Sequence, residues 1–283
     1  MNYNWAKIDA LRESLPTPSM TVGYSVADEV KLVKYNFDDQ KRFPKALPTV
    51  ELCHLTDLQI GSKGFLRRRF REYANWILAK PNRFALLGGD LGNFNTVLSV
   101  GSPYDDEAEP RAQIKMVLDE LRALTDAGRI LGSVGGNHER RTVKTYGDAG
   151  AEIAERLGIP YSSGTLLIDL RYGEHKPFKI ALWHGAGSAR TKGAAAQTLH
   201  RFIQRTDSHV SFMGHLHQAM VLPDYKQVRA GDTIKRQKVF GILSSSFQEY
   251  WNSYAEAAGF APFDVMMGRV ILEPNGKWEV TLR

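Results

Sequence analysis

Leu86-Leu87-Gly88-Gly89-Asp90-Leu91-Gly92-Asn93 joins three signals in one short stretch. The apolar pair ends a run that reads as a buried strand. The two glycines let the backbone turn sharply, and a carboxylate follows them. Open α/β sheets bind their ligands at the C-terminal ends of central strands, and that is where Asp90 stands. Taken alone, a strand closing on Gly-Gly-Asp is more often a turn than a site. Asp90 gains weight because other strands close the same way, on Asp57, on Asn137 with His138, on His184, and on His215 with His217.

Working outward, Val50–Thr56 reads as a strand that ends at Asp57, and Arg83–Leu87 as the one that ends at Asp90. Ile130–Val134 runs into Gly135-Gly136-Asn137-His138-Glu139, Phe178–Trp183 ends at His184, and His209–Met213 ends in Gly214-His215-Leu216-His217. Helices separate the early strands. In Phe65–Ala79, Leu66, Phe70, Tyr73 and Ile77 recur on one face at helical spacing. A second helix follows Pro110, with Ile114, Val117, Leu118 and Leu121 inward; a third, Ala149–Leu157, is stopped by Gly158 and Pro160. A fourth is expected over Ala194–Arg205. Thr165–Leu170 pairs with Phe178–Trp183, and Lys238–Leu243, Val265–Leu272 and Trp278–Leu282 close the chain as strands. Asn275-Gly276 between the last two is a hairpin signal. Helices among early strands with a β-rich tail predict an α/β architecture of two mixed sheets packed as a sandwich flanked by helices.

Residues 1–48 read as an N-terminal extension: a short helix over Trp5–Ser14, strands at Met20–Tyr24 and Val30–Tyr35, then a linker with Pro44 and Pro48. Residues 49–283 form the main domain. At 283 residues, 43% of them hydrophobic, the chain can build one large core. No apolar run is long enough to span a bilayer, and the N-terminus lacks the basic-then-apolar layout of a signal peptide. A single cysteine, Cys53, excludes intrachain disulfides and argues against a cysteine-based zinc site. The expectation is a cytoplasmic protein without membrane contact, of undetermined oligomeric state. A net charge of +6 is compatible with a polyanionic partner without requiring one.

On an extended segment, residues two apart share a face, so the His215/His217 pair is expected to aim both rings the same way. The whole pattern resembles the calcineurin-like metallophosphoesterase superfamily, and its phosphodiesterase and nuclease branches in particular. The family motifs Asp-x-His, Gly-Asp-x-x-Asp/Asn, Gly-Asn-His-Asp/Glu, an isolated His and Gly-His-x-His appear here in order. They stand as Asp57-Leu58-Gln59, Gly89-Asp90-Leu91-Gly92-Asn93, Gly136-Asn137-His138-Glu139, His184, and Gly214-His215-Leu216-His217.

The resemblance implies two divalent metal ions bridged by Asp90. One would be held by Asp57, Gln59, Asp90 and His217, the other by Asp90, Asn137, His184 and His215. Asp90 and His138 would be the catalytic residues, with His138 facing the substrate phosphate rather than a metal. A mixed oxygen and imidazole set suits manganese, iron or zinc; manganese is expected first, with magnesium as a further alternative. Gln59 is the departure, since the family usually has histidine there and a neutral amide is a weaker donor. His54 cannot replace it, because strand alternation points it to the opposite face from Asp57. The Asp57/Gln59 site is therefore expected to be the weaker one. A looser site, a one-metal enzyme and a degenerate non-catalytic binder all remain open, with retained hydrolysis of a phosphoric ester the leading expectation. A phosphodiesterase or nuclease ranks ahead of a phosphomonoesterase or small-nucleotide phosphodiesterase.

Cations follow several of these strand ends: Lys63, Arg67–Arg69 and Arg71, then Arg140, Arg141 and Lys144, then Arg190 and Lys192. If they ring the site they suit DNA or RNA; the alternative is a solvated helix face. Asn93, Arg140, Arg67 and Arg190 are the expected substrate contacts. The acidic loop Asp105–Glu109 argues the other way. Phe65, Tyr104 and Tyr146 are candidates for stacking on bases.

Overall fold

The computed structural model describes residues 12, 15, 17–24, 30–97, 99, 101–145 and 147–283. The helix expected over Trp5–Ser14, Arg12 apart, and Tyr146 lie outside them. Two sheets form the body. One runs β1 (Ser19–Tyr24), β2 (Val30–Asn36), β7 (Leu166–Tyr172), β8 (His175–Trp183), β9 (Val210–Met213), β11 (Thr233–Leu243), β10 (Met220–Ala230). The other runs β13 (Trp278–Leu282), β12 (Gly268–Leu272), β3 (Val50–Leu55), β4 (Arg83–Leu87), β5 (Ile130–Val134), β6 (Tyr161–Ser162). Both are mixed: β3 to β6 pair in parallel, as do β8, β9 and β11, while β12 runs antiparallel to β3.

The central strands are apolar on both faces because both faces are covered. Alternate residues of β3 and β4 divide between two cores. Val50, Leu52, Phe84 and Leu86 pack between the sheets with Ile168, Ile180 and Phe212. Cys53, Leu55, Ala85 and Leu87 pack under helices α1 (Arg67–Leu78), α2 (Pro110–Asp126) and α4 (Ala149–Leu157). Helix α1 buries Phe70, Tyr73, Ala74 and Ile77, the stripe its spacing predicts. On the far side α5 (Lys192–Gln204) lays Ala195, Leu199, Phe202 and Ile203 against Met213 and Leu243. Two short α-helices, α3 (Asn137–Thr142) and α6 (Tyr254–Ala257), and a single 3-10 turn at Pro103–Asp105 accompany them among the described residues. No helix among them is long and apolar enough to cross a membrane.

Two elements differ from expectation. Within the expected extension, β2 and residues 37–47 pack against the main body. β2 pairs in parallel with β7 from Leu32↔Leu167 to Asn36↔Arg171, and Phe37, Phe43 and Leu47 lie in the core between the sheets. Tyr35 donates its hydroxyl to the Leu131 carbonyl, and burial pushes its phenol up to about 12. The strand β10 went unanticipated. It pairs with β11 along its whole length, from Met220↔Leu243 to Ala230↔Thr233. Pro223 and the polar alternation around it are tolerated because β10 is an edge strand.

Candidate metal centre

The strands deliver their polar residues by leaving the sheet through left-handed backbone. Asp57 (φ 51°), Gln59 (φ 48°), Asp90 (φ 51°), His215 (φ 68°) and His217 (φ 51°) all have positive φ. Non-glycine residues held in such conformations cost on the order of 1–3 kcal/mol each, and they persist where surrounding bonds over-determine them. The bonds here do so. Asp57 N–H donates to Gly89 O (3.0 Å), Gln59 N–H to Asp90 O (2.9 Å) and Gly214 N–H to His184 O (2.9 Å). The His215 N–H meets Asp57 Oδ2 at 2.9 Å, and the His138 N–H meets Asp90 Oδ1 at 2.8 Å. His215 and His217 are thus aimed by two left-handed kinks, not by the alternation of an extended segment.

Glycines flank these side chains because the loops approach so closely. A Cβ on Gly136 would run into Asp90 Oδ1, and one on Gly214 into Thr56 Oγ1 and Asp57 Oδ2. Glu139, buried at the third position of α3, ties the loops together. Its carboxylate accepts from Gly136 N–H (2.9 Å), Asp90 N–H (3.0 Å) and Leu91 N–H (2.6 Å). Burial, reinforced by Asp90, lifts its carboxyl to about 7.

Two groupings result. His184 Nε2 lies 3.1 Å from Asp90 Oδ2 and 3.1 Å from Asn137 Oδ1. The ligand atoms of Asp90, His184 and His215 all fall within 4.8 Å of one another. In the second, His217 Nε2 stands 3.2 Å from Asp57 Oδ1. That carboxylate oxygen is buried and receives no hydrogen bond, an expensive arrangement unless a cation faces it. The tautomers fit the same reading. His184 Nδ1 meets Gly88 O at 2.8 Å and His215 Nε2 meets Gly187 O at 2.7 Å, which frees His184 Nε2 and His215 Nδ1 as ligand atoms. The donor set of Asp90, His184 and His215 fits a divalent cation, and Asp57 with His217 forms a second pair of ligand-type side chains beside it. Gln59, buried and bonded through its backbone to Asp90, stands at the Asp57 side.

The electrostatics describe the site without cations. Burial works against a charge on His184, but Asp90 and Asp57 outweigh it and hold the imidazole at about 10. Burial likewise opposes ionisation of Asp90, yet His138 and His184 drive its carboxyl far below the usual range. Asp57 is lowered in the same way, by His184 and His217 against burial. His54 belongs elsewhere: burial takes it down to about 3, and its Nδ1 meets Ser244 Oγ at 2.9 Å beside Phe212.

His138 sits at the edge of the centre. Its Nδ1 meets the Asn93 carbonyl at 2.6 Å, leaving Nε2 3.6 Å from Asp90 Oδ2. Burial is the main reason its pKa falls to about 4, although Asp90 pulls the other way. The Arg141 guanidinium lies along the ring, with one nitrogen 3.1 Å from Nδ1 and the other 3.1 Å from Nε2.

Strand-end motifs in this order, brought to one point above two mixed sheets, settle the architecture. The architecture is the two mixed sheets with flanking helices that the sequence's resemblance implies. A metallophosphoesterase from Sphaerobacter thermophilus is 14% identical, with 83% of this chain and 87% of that one covered at a TM-score of 0.40. The nuclease MPE of Pseudomonas putida is 13% identical (81% and 87% covered, TM-score 0.34). GAP50, the anchor in the inner membrane complex of Plasmodium, is 12% identical (83% and 84% covered, TM-score 0.40). Likeness at this level carries nothing about substrate, metal or turnover. No family model and no curated protein matches the chain.

The fold brings Asp57, Asp90, Asn137, His138, His184, His215 and His217 together, but it does not gather the expected substrate contacts. The Asn93 side chain donates to Asp106 Oδ1 (2.5 Å). Arg140 reaches outward to Ser163 O (3.2 Å), and Arg141 is the cation at His138. Arg67 pairs with Glu107 (3.2 Å) and Glu120 (3.0 Å), Arg68 and Arg69 with Glu72, and Arg71 with Glu120. Glu107 of the acidic loop therefore neutralises a cation of α1. Arg190 lies over the Phe260 ring at 5.7 Å. Phe65 packs against the core under the helices, while Tyr104 is exposed. Glu139 was missed as a tie between loops. Its signal is a glutamate at the third position of a helix that starts after Gly136, the acidic half of a capping box.

Proposed function

We propose that the chain is a metal-dependent phosphoric ester hydrolase that cleaves a phosphodiester, either nucleic acid or a smaller nucleotide-bearing ester. The observation that carries this reading is the convergence of the Asp90, His184 and His215 ligand atoms within 4.8 Å of one another, with the buried Asp57 carboxylate and His217 paired beside them. Asp57, Gln59, Asp90 and His217 would hold one divalent cation and Asp90, Asn137, His184 and His215 the other, with manganese the first candidate. Such ions supply positive charge for the phosphoryl oxygens and lower the pKa of water.

The chain's own residues do the rest. Asp90, fixed by the His138 N–H and by its contact to His184, keeps a carboxylate between the two groups. The Asn93 carbonyl holds the His138 ring through Nδ1, so Nε2 is the atom turned toward Asp90. A phosphate anion beside Nε2 favours the imidazolium, which can then pass its proton to the departing oxygen. Arg141, stacked on that ring, places a fixed positive charge at the same spot.

Two features favour a diester. The segment Leu91-Gly92-Asn93-Phe94 offers no arginine to grip a phosphate, and the α1 arginines are engaged by carboxylates. One negative charge per phosphate needs fewer cations than the two of a monoester. The test is hydrolysis of bis-p-nitrophenyl phosphate, p-nitrophenyl phosphate, single- and double-stranded DNA, and RNA with manganese. Diester cleavage that is lost in His138→Ala is expected. Brisk monoester cleavage with inert diesters overturns the diester assignment. No bound metal at saturating manganese, with no turnover, establishes the non-catalytic binder that Gln59 leaves open.

A further inference from the structure

The connection from β11 to β12 carries aromatic side chains that the hydrolytic reading does not use. Trp251 is 63% exposed, which is unusual for an indole with no partner to cover it. Its ring meets Tyr250 edge-on, with centroids 5.2 Å apart. Tyr250 meets Phe263 at 5.7 Å, and Phe263 meets the His217 imidazole at 5.6 Å. An unbroken aromatic line thus runs from a solvent-facing indole to a residue of the metal centre.

Hydrogen bonds register this line against the Asp57 loop. The Phe247 N–H donates to Asp57 O (3.0 Å) and the Glu249 N–H to Gly64 O (2.8 Å). Gln248 Nε2 donates to Leu58 O (2.9 Å), and the Tyr250 hydroxyl to Phe260 O (2.9 Å). Beside the line lies a cavity of about 370 Å³, with Tyr250, Trp251, Pro262 and Phe263 in its wall together with Glu249 and Asp264. Its size and its mix of aromatic faces with a few polar groups are those of a small-molecule site. Glu249 Oε1 accepts the Trp251 N–H (3.0 Å) and Asp264 Oδ1 the Val265 N–H (2.7 Å), with Arg69 3.8 Å from Asp264, and the second oxygen of each carboxylate can accept a further N–H group.

We propose that this cavity binds the nucleobase of the substrate while the attached phosphate lies at the metal centre. Trp251 supplies the stacking surface, and Glu249 and Asp264 accept from base N–H groups. The inference rests on the hydrolase reading and deepens it by assigning the place where the base of a nucleotide-bearing ester is held. Stacking on aromatic side chains tolerates any base, so the site selects for a base without dictating which one.

The test is equilibrium binding of adenosine 5′-monophosphate, ribose 5-phosphate and inorganic phosphate to the manganese-loaded protein, followed by tryptophan fluorescence and by calorimetry. Adenosine 5′-monophosphate should bind more tightly than ribose 5-phosphate and quench the indole. Trp251→Ala should weaken adenosine 5′-monophosphate roughly 5- to 150-fold, the value of one base stack, and leave ribose 5-phosphate unchanged. Trp251→Phe should restore the affinity without the quench. Equal affinities for the two sugar phosphates in the wild type, or an equal loss for both in Trp251→Ala, overturn the proposal. Inorganic phosphate that fails to bind counts against the hydrolase reading instead, so the two failures are distinguishable.

Discussion

Loading the metal-free protein with manganese should expel one proton, and the group that gives it up is His184. Asp90 Oδ2 is 3.1 Å from Nε2 of this buried imidazole, and Asp90 with Asp57 outweighs burial to hold it at about 10. The sign follows directly. A histidine raised above its ordinary value binds its proton more tightly in the folded state, so that stabilisation is complete below about 6.5 and lost as pH rises through about 10. A cation at the same place must displace that proton. At pH 7 only about one molecule in a thousand offers a free Nε2, so apparent affinity should rise roughly tenfold per pH unit from pH 6.5 to 8.5. His138 and His215 add little to this slope. Burial takes His138 down to about 4 and lowers His215, so both are mostly neutral across the same range. Calorimetric titration in buffers of different ionisation enthalpy counts the protons, and repeating it at three pH values gives the slope. One proton released and a slope near one are expected, with both reduced in His184→Asn. An affinity independent of pH, with no proton released, would show His184 already neutral and refute the ion pair with Asp90.

Three further outcomes follow from contacts of other kinds. Glu51 is buried between Arg83 (2.9 Å) and Arg269 (2.7 Å); Glu51→Ala leaves both guanidinium groups without their carboxylate and should cost about 3–5 kcal/mol in urea unfolding, so a loss below about 1 kcal/mol contradicts the pairing. Glu139→Gln turns an amide N–H₂ toward backbone donors that now meet a carboxylate; a loss of about 1–3 kcal/mol with weaker manganese binding is expected, and unchanged values for both would remove Glu139 from the site. Gln59→His adds an imidazole beside the Asp57/His217 pair and should tighten the second manganese roughly 10- to 100-fold, the range that ligand surroundings command; isothermal titration that finds stoichiometry and affinity unchanged would place Gln59 outside the centre.

What the sequence revealed, and what it hid, divides by the range of the interaction. β3 and β4 were legible because burial on both faces leaves a local apolar signature, and the exclusion of His54 needed only the period of a strand. Arg141, not Arg140, meets the His138 ring for an equally local reason. Asn137–Thr142 is a helix, so the residue beside His138 is three along, not two. The fate of the α1 arginines was partly readable, since Glu72 lies at helical spacing from Arg68 and Arg69. Glu107 and Glu120 reach Arg67 only once the acidic loop and α2 have packed against α1. The left-handed residues at the strand ends belong to this second class. Asp57 and His217 are residue types that tolerate positive φ, but tolerance alone does not select it; hydrogen bonds between loops far apart in sequence hold it. Those bonds must therefore form before the ligand atoms converge. The centre is a product of the completed sandwich, and the residues that aim its ligands, Glu139 and Gly136 among them, matter as much as the ligands themselves.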